Sequence, residues 1–163
     1  MIKAVLIINN VGKPRLTKFY EPVVPEKQRE LIRTTYSILS KRADNLCSFV
    51  EDESAFGKGT KVVYRHYATL YFVFIVDNTE SELGILDLIQ VFVETLDRVF
   101  QHVCELDLVH NFPRANAVLD EIVMGGQVLE TNSADVVKAL SDMQKLDRQP
   151  SVTTIRAPGA LRS

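Results

Sequence analysis

The sequence predicts a mixed α/β fold in which a five-stranded, mostly antiparallel sheet is packed by helices. Five short segments are rich in β-branched and aromatic residues, and a polar turn joins the first two of them. A helical pattern separates the second segment from the third, and three helical patterns follow the fifth. This order is typical of a single sheet with helices packed against it.

The first half of the chain supplies the strands and one helix. Residues 2–8 form an apolar run, residues 9–12 are a turn signal and residues 15–20 alternate, so a β-hairpin is predicted. Pro25 suits the first turn of a helix that we expect over residues 26–42. The other predicted elements are a strand at 47–50, a loop or hairpin tip at 51–60, and strands at 61–66 and 70–76.

A long amphipathic helix follows the fifth strand. Thr79 and Glu82 have the spacing of a capping box, which places the start of the helix between them. We expect residues 103–108 to close the same helix. Its apolar residues recur at helical spacing, at Leu83, Leu86, Ile89, Val93, Leu96 and Phe100.

Two further helices and a tail complete the chain. Pro113 is expected to interrupt the chain before a helix over residues 115–124, which Gly125 and Gly126 end. Asn132 and Ser133 are expected to cap a last helix over residues 134–146. Residues 1–146 thus form one predicted domain. Residues 147–163 contain prolines and little apolar surface, so they are expected to be a flexible C-terminal tail.

Composition limits the possible classes of function. The chain has 163 residues, 46% of them hydrophobic and 25% charged, as in a globular domain. Its net charge of −2 leaves no basic footprint for nucleic acid. The apolar runs are shorter than the ~20 residues that a membrane helix needs. No signal peptide or lipidation motif is evident, so a cytoplasmic location with indirect membrane contact is expected.

No segment carries an obvious catalytic or metal-binding constellation. His66, His102, Cys104 and His110 lack a second ligand pair at zinc-like spacing. We therefore expect no cofactor, no metal and no enzymatic activity, although a hydrolase that uses Cys104 as nucleophile remains an alternative. The apolar surface of the central strand–helix unit instead favours a protein that holds partners.

Several segments resemble the small (sigma) subunits of clathrin-type adaptor complexes. They are residues 1–20, which include the Gly-Lys-Pro-Arg-Leu run at 12–16, and residues 64–72, 92–97 and 103–108. The resemblance covers residues 1 to about 146. Residues 81–92 and 125–131 are most similar to the sigma subunit of the third adaptor complex. The resemblance implies a longin-like (SNARE-like) α/β fold.

The same resemblance implies a function in vesicle transport. A sigma subunit stabilises the core of a heterotetrameric coat adaptor and helps to bind acidic dileucine signals of membrane cargo. The implied partners are a delta-like large subunit in direct contact, a beta large subunit, a mu medium subunit and cargo tails. The implied location is the cytosolic face of Golgi, endosomal and coated-vesicle membranes, with transport to lysosomes or vacuoles. The sigma subunit of another adaptor and a coatomer zeta-like subunit remain alternatives.

An acidic dileucine signal carries an acidic residue four positions before a leucine pair. The leucines need an apolar pocket, and the acidic residue needs a cation at its rim. Exposed ion pairs are weak and association costs entropy, so micromolar or weaker affinity is expected. The resemblance assigns the cation to Arg15, the mouth of the pocket to His102, where relatives commonly have asparagine, and the lining to Ala68, Leu70, Val93, Val103 and Leu108.

Overall fold

The computed structural model describes residues 1–43, 48–128 and 133–147. The strands are β1 (Ile2–Asn9), β2 (Pro14–Phe19), β3 (Phe49–Val50), β4 (Thr60–Tyr67), β5 (Leu70–Asp77), β6 (Val123–Met124) and β7 (Gln127–Val128). The helices are α1 (Pro25–Leu39), α2 (Glu53–Phe56), α3 (Glu82–Phe100), α4 (Glu105–His110), α5 (Phe112–Ile122) and α6 (Ser133–Asp147).

The five-stranded sheet is confirmed, with strand order β2-β1-β5-β4-β3 and antiparallel pairing throughout. β1 lies inside the sheet and is covered on both faces, which explains why its sequence is almost continuously apolar. Ala4, Leu6 and Ile8 of β1 belong to the cluster beneath α1. Val5 and Ile7 belong to the larger cluster beneath α3, α5 and α6. The sheet is therefore the middle of three layers.

The larger cluster is organised around Phe92 of α3. Its ring contacts those of Phe72 and Phe74 on β5 edge-on, at centroid separations of 5.9 and 6.3 Å. Phe92 is completely buried. The apolar residues at helical spacing thus pack α3 against the sheet, except for Leu83, which is exposed at the start of the helix.

The prediction that residues 103–108 close the long helix is wrong. α3 ends at Phe100, and the next two residues take left-handed backbone angles, with φ of 53° at Gln101 and 72° at His102. Asp97 holds this reversal: its carbonyl oxygen accepts from the His102 N–H, and its Oδ1 accepts from the Val103 N–H, both at 3.0 Å. α4 is consequently a separate helix.

The predicted capping box at Thr79 and Glu82 is also wrong. The N-cap of α3 is Ser81, whose hydroxyl accepts from the Gly84 N–H. The Thr79 hydroxyl instead donates to Asp77. Glu82 turns towards the sheet and pairs with Lys61 of β4, with 3.3 Å between Nζ and Oε1. Two local hydrogen bonds, from Gly84 to Ser81 and from Thr79 to Asp77, and one ion pair with the sheet therefore replace the reciprocal pair that the sequence suggested.

Residues 51–60, predicted as a loop or hairpin tip, contain the single-turn helix α2. Its N-cap is Asp52, whose carboxylate accepts from the N–H groups of Ser54 and Ala55 at 3.0 and 3.1 Å. The capping stabilises a turn that is too short to show periodicity.

Pro113 begins a helix where a break was predicted. It lies in the first turn of α5, where its missing N–H has no intrahelical partner to lose. α5 ends at Ile122, two residues before the predicted end. Gly125 and Gly126 form the two-residue turn of the β6–β7 hairpin, and both have positive φ, which suits glycine.

Three predictions fall wholly or largely on residues outside the described ranges. These are the start of the strand at Cys47, the cap at Asn132 and the tail from residue 148 onward; the predicted tail also included Asp147, which the structure places at the end of α6. Within the described ranges, none of the helices combines the length and the apolar character needed to cross a bilayer.

Candidate functional site

The residues assigned to signal binding lie on elements that meet at one end of the sheet. Leu70 starts β5 and pairs in register with Asn9, the last residue of β1. Arg15 lies on β2, the strand beside β1, and reaches α4. Leu70, Val93, Val103 and Leu108 all belong to the larger core cluster. The four apolar side chains are thus members of one core cluster of 24 described residues, and Arg15 lies against the helix that carries Leu108.

Arg15 is held by a carboxylate of its own chain. Its Nε donates to Glu105 Oε1 at 2.7 Å, and both side chains are about three-quarters buried. The same oxygen accepts from Asn9 Nδ2, also at 2.7 Å. Asn9 is buried, and its Oδ1 accepts from the N–H groups of Val11 and Lys13. One asparagine therefore ties the β1–β2 turn to the first residue of α4.

The two hydrogen bonds change the titration of Glu105. The pKa of its carboxyl lies below the usual value, chiefly because the Asn9 amide and then the Arg15 guanidinium donate to the charged form. Glu105 is therefore a carboxylate at neutral pH. The site combines this negative charge with the cations of Arg15 and Lys13.

The lowered pKa predicts a pH-dependent contribution of Glu105 to stability. Because the pKa is lower in the folded chain than in the unfolded one, the contact stabilises the fold above the unfolded pKa of ~4.3 and is lost as the pH falls through the folded value. We expect Glu105→Gln to lower the free energy of unfolding at pH 7 by about 1 kcal/mol or less. Urea titrations at several pH values should show this difference shrinking below about pH 4. A difference that is independent of pH would contradict the role of the charge.

Ala68 and His102 are the exposed members of the predicted set. Ala68 lies in the two-residue turn between β4 and β5, with φ of 53°. His102 lies in the left-handed reversal between α3 and α4. Asparagine tolerates this backbone region well, as histidine does to a lesser degree. The left-handed backbone at position 102 would therefore accommodate asparagine at least as well as the histidine present.

The four apolar residues are closed off in this conformation. Leu70 and Leu108 are 2% and 0% exposed, and Val93 and Val103 are 4% and 9% exposed. A groove of about 510 Å³ adjoins Ala68, but it lies on the α1 side of the sheet and is lined by Leu39 and Tyr71 rather than by these four residues. Binding of two leucines by the cluster would therefore require side chains at its surface to move.

Asn9 and Glu105 are the residues that the sequence did not single out for the site. Asn9 was interpreted only as part of a turn, and Glu105 only as part of a recognisable segment. Their pairing joins residues that are 96 positions apart in the chain. The available sequence signal was a polar residue at the end of an apolar strand and an acidic residue in the first turn of a short helix.

Comparison with known proteins gives the family. The model for the clathrin adaptor complex small chain matches residues 1–147 of this chain. The chain belongs to the clathrin adaptor small chain family. The recognition made from the sequence segments is therefore confirmed, as is the α/β fold that the family shares.

Several relatives of this adaptor small chain are named as sigma subunits of the AP-3 complex. AP-3 complex subunit sigma of Arabidopsis thaliana is 58% identical over 147 residues, covering 90% of this chain and 89% of that protein. AP-3 complex subunit sigma-2 of Homo sapiens is 49% identical over 167 residues, covering 100% and 86%. A chain described as part of a homology model of the full-length AP-3 complex in a stretched open conformation matches with a TM-score of 0.71 at 45% identity, covering 90% and 95%.

Membership of this adaptor family decides against the hydrolase alternative, because the family consists of non-enzymatic trafficking components. Cys104 has a structural role here. It is the N-cap of α4, its N–H donates to Asp107 Oδ2 at 2.9 Å, and its Sγ lies 3.3 Å from the same oxygen. Within the described ranges, no group of three or more potential ligands could hold a metal ion.

Proposed function

We propose that this chain is the sigma subunit of an AP-3-type heterotetrameric vesicle-coat adaptor. The proposal is supported by the names of relatives from a plant, an animal and a fungus, each at 49–58% identity over most of the chain. The expected partners are a delta-like large subunit, a beta large subunit and a mu subunit. The expected location is the cytosolic face of Golgi, endosomal and coated-vesicle membranes, with cargo delivered to lysosomes or vacuoles.

An exposed apolar surface supports the contact with a large subunit. Leu106, Val109 and Phe112 are spaced by three residues along α4 and the start of α5 and are 64%, 46% and 40% exposed. An isolated exposed apolar residue is ordinary, but three of them within seven residues of the chain are typical of a protein interface. A large subunit that covers this surface would bury the three side chains and make the small subunit part of its core.

The second part of the proposal is that this chain helps to bind acidic dileucine signals. The observation that carries it is the position of Arg15, which reaches α4, the helix whose Leu108 belongs to the same buried cluster as Leu70, Val93 and Val103. The cation can meet the acidic residue of a signal while the cluster receives the leucine pair. Ala68 and His102 would border the entrance to the pocket that receives the leucine pair.

Burial of the cluster also supports weak binding. A site that is open in only a small fraction of molecules has an apparent affinity reduced by that fraction. Two buried leucines could contribute ~1.5–3 kcal/mol each, but opening the cluster and association itself oppose this gain. Micromolar or weaker binding of a free peptide is therefore expected, with multivalent attachment at a membrane compensating for it.

The test uses the assembled complex and a fluorescent peptide that carries an acidic dileucine signal. Arg15→Gln is expected to weaken binding about three- to tenfold, because it removes a hydrogen-bonded ion pair. A peptide with glutamine in place of the acidic residue should bind wild type and variant almost equally. Fluorescence anisotropy measures both affinities, and size-exclusion chromatography checks assembly.

Arg65→Gln is the matched control, because Arg65 is an exposed arginine on β4 whose guanidinium donates to Gln90. It should leave peptide binding unchanged. Equal binding by wild type and Arg15→Gln would contradict the role of Arg15 and leave the chain as a structural subunit. Leu70→Ser is not a suitable probe, because it places a hydroxyl in the core.

A further inference from the structure

We propose that Glu105 is an internal acidic competitor for Arg15 and so limits how much the acidic residue of a signal adds to binding. The inference rests on the proposed function of Arg15 in signal binding. Glu105 would be a specificity-determining residue. Its carboxylate already partly neutralises Arg15, so acidic segments without a leucine pair gain little binding energy from that arginine. Recognition then depends more on the apolar residues of the signal.

The geometry shows that the carboxylate of Glu105 is fixed rather than loosely paired. Glu105 Oε1 accepts two hydrogen bonds of 2.7 Å, one from Arg15 Nε and one from Asn9 Nδ2. The Asn9 side chain is in turn fixed by two backbone N–H groups of its turn, those of Val11 and Lys13. A carboxylate held on both sides keeps its position when a ligand approaches.

Arg15 still has donors to offer. Within the described residues, its only hydrogen bond is made by Nε, so the two terminal nitrogens of the guanidinium donate to no described group. A signal carboxylate that binds these nitrogens shares the cation with Glu105. Repulsion between two like charges about 4 Å apart weakens binding about fivefold, even when water screens them.

The lowered pKa supports a charged Glu105 at neutral pH, and Lys13 is the other charged group that acts on it. Glutamine at position 105 has the same shape, and its amide oxygen can still accept from Asn9 and Arg15. Glu105→Gln therefore removes the charge and retains the positions of Arg15 and α4. This makes it a test of competition rather than of packing.

The experiment compares wild-type and Glu105→Gln complexes with two peptides, one acidic and one with glutamine in place of the acidic residue. The expected result is that Glu105→Gln binds the acidic peptide about three- to tenfold more tightly. Binding of the glutamine peptide should change less than about twofold. The coupling between Glu105→Gln in the protein and the glutamine substitution in the peptide then measures the repulsion between the two carboxylates. Glu82→Gln is the matched control, since it removes a carboxylate that pairs with a different cation, Lys61.

Each other outcome decides against the inference. Unchanged or weaker binding of the acidic peptide by Glu105→Gln would overturn competition, and weaker binding of both peptides would make Glu105 a positioning residue. If no complex binds a leucine-pair peptide more tightly than a peptide with two alanines, the proposed signal-binding function itself fails. The alanine peptide therefore distinguishes failure of the function from failure of the inference.

Discussion

Replacing Phe92 with alanine is expected to lower the free energy of unfolding by about 3–5 kcal/mol. Phe92 is completely buried, and its ring meets Phe72 and Phe74 at 86° and 77°. The substitution removes both edge-on contacts and leaves a cavity between α3 and the sheet. Because Val93, the next residue, belongs to the predicted signal-binding set, the loss should also disturb that set.

Urea denaturation of the full chain, followed by circular dichroism, measures the change. Phe112→Ala is the matched control, because it makes the same chemical change at a side chain that is 40% exposed. We expect the control to cost less than about 1.5 kcal/mol. Similar losses for the two variants would show that α3 does not pack on β5 as described.

Replacing Gly126 with alanine is expected to cost about 2–5 kcal/mol, the second large effect. Gly126 has φ of +85°, and a Cβ at this position would clash with the Ile2 carbonyl oxygen of the neighbouring strand. The Gly126 carbonyl accepts from the Ile2 N–H at 2.8 Å, so the hairpin cannot move away without losing this bond. The β6–β7 hairpin and β1 would have to separate.

The adjacent glycine provides the control for this prediction. Gly125 also has positive φ, at +57°, but a Cβ there would meet nothing within 4 Å. Gly125→Ala should therefore cost only the strain of left-handed backbone, about 1–2 kcal/mol. The difference between the two variants in thermal denaturation measures the clash, and equal costs would refute the close approach of the hairpin to β1.

The sheet and long helices could be predicted because their patterns are long and regular. Residues 2–8 and 70–76 are apolar runs, and α3 repeats its apolar residues over five turns. The reversal before α4 could not be predicted, because Gln101 and His102 take positive φ without glycine. The choice of Ser81 as the N-cap of α3 could not be predicted either. Thr79 and Ser81 are both good N-cap residues, and the tertiary surroundings decide between them.

The candidate site was predictable only in part. Arg15 and the apolar residues came from the resemblance, whereas composition alone would make ordinary core residues of Ala68, Leu70, Val93, Val103 and Leu108. The partner of Arg15 could not be found from sequence, because Glu105 is 90 positions away and is brought close only by the packing of α4 on β2. The closed state of the cluster likewise follows from packing, which no local pattern encodes.

The two outer strands of the sheet limit how this chain can join other proteins. β2 is one edge, where Pro14 has no N–H to donate and Arg15 and Lys18 add charge. Within the described residues, β3 is the other edge and spans Phe49–Val50. Both features oppose extension of the sheet by a strand from another molecule. Copies of the chain are thus protected from edge-to-edge aggregation, and assembly is left to helix surfaces, where side chains rather than backbone select the partner.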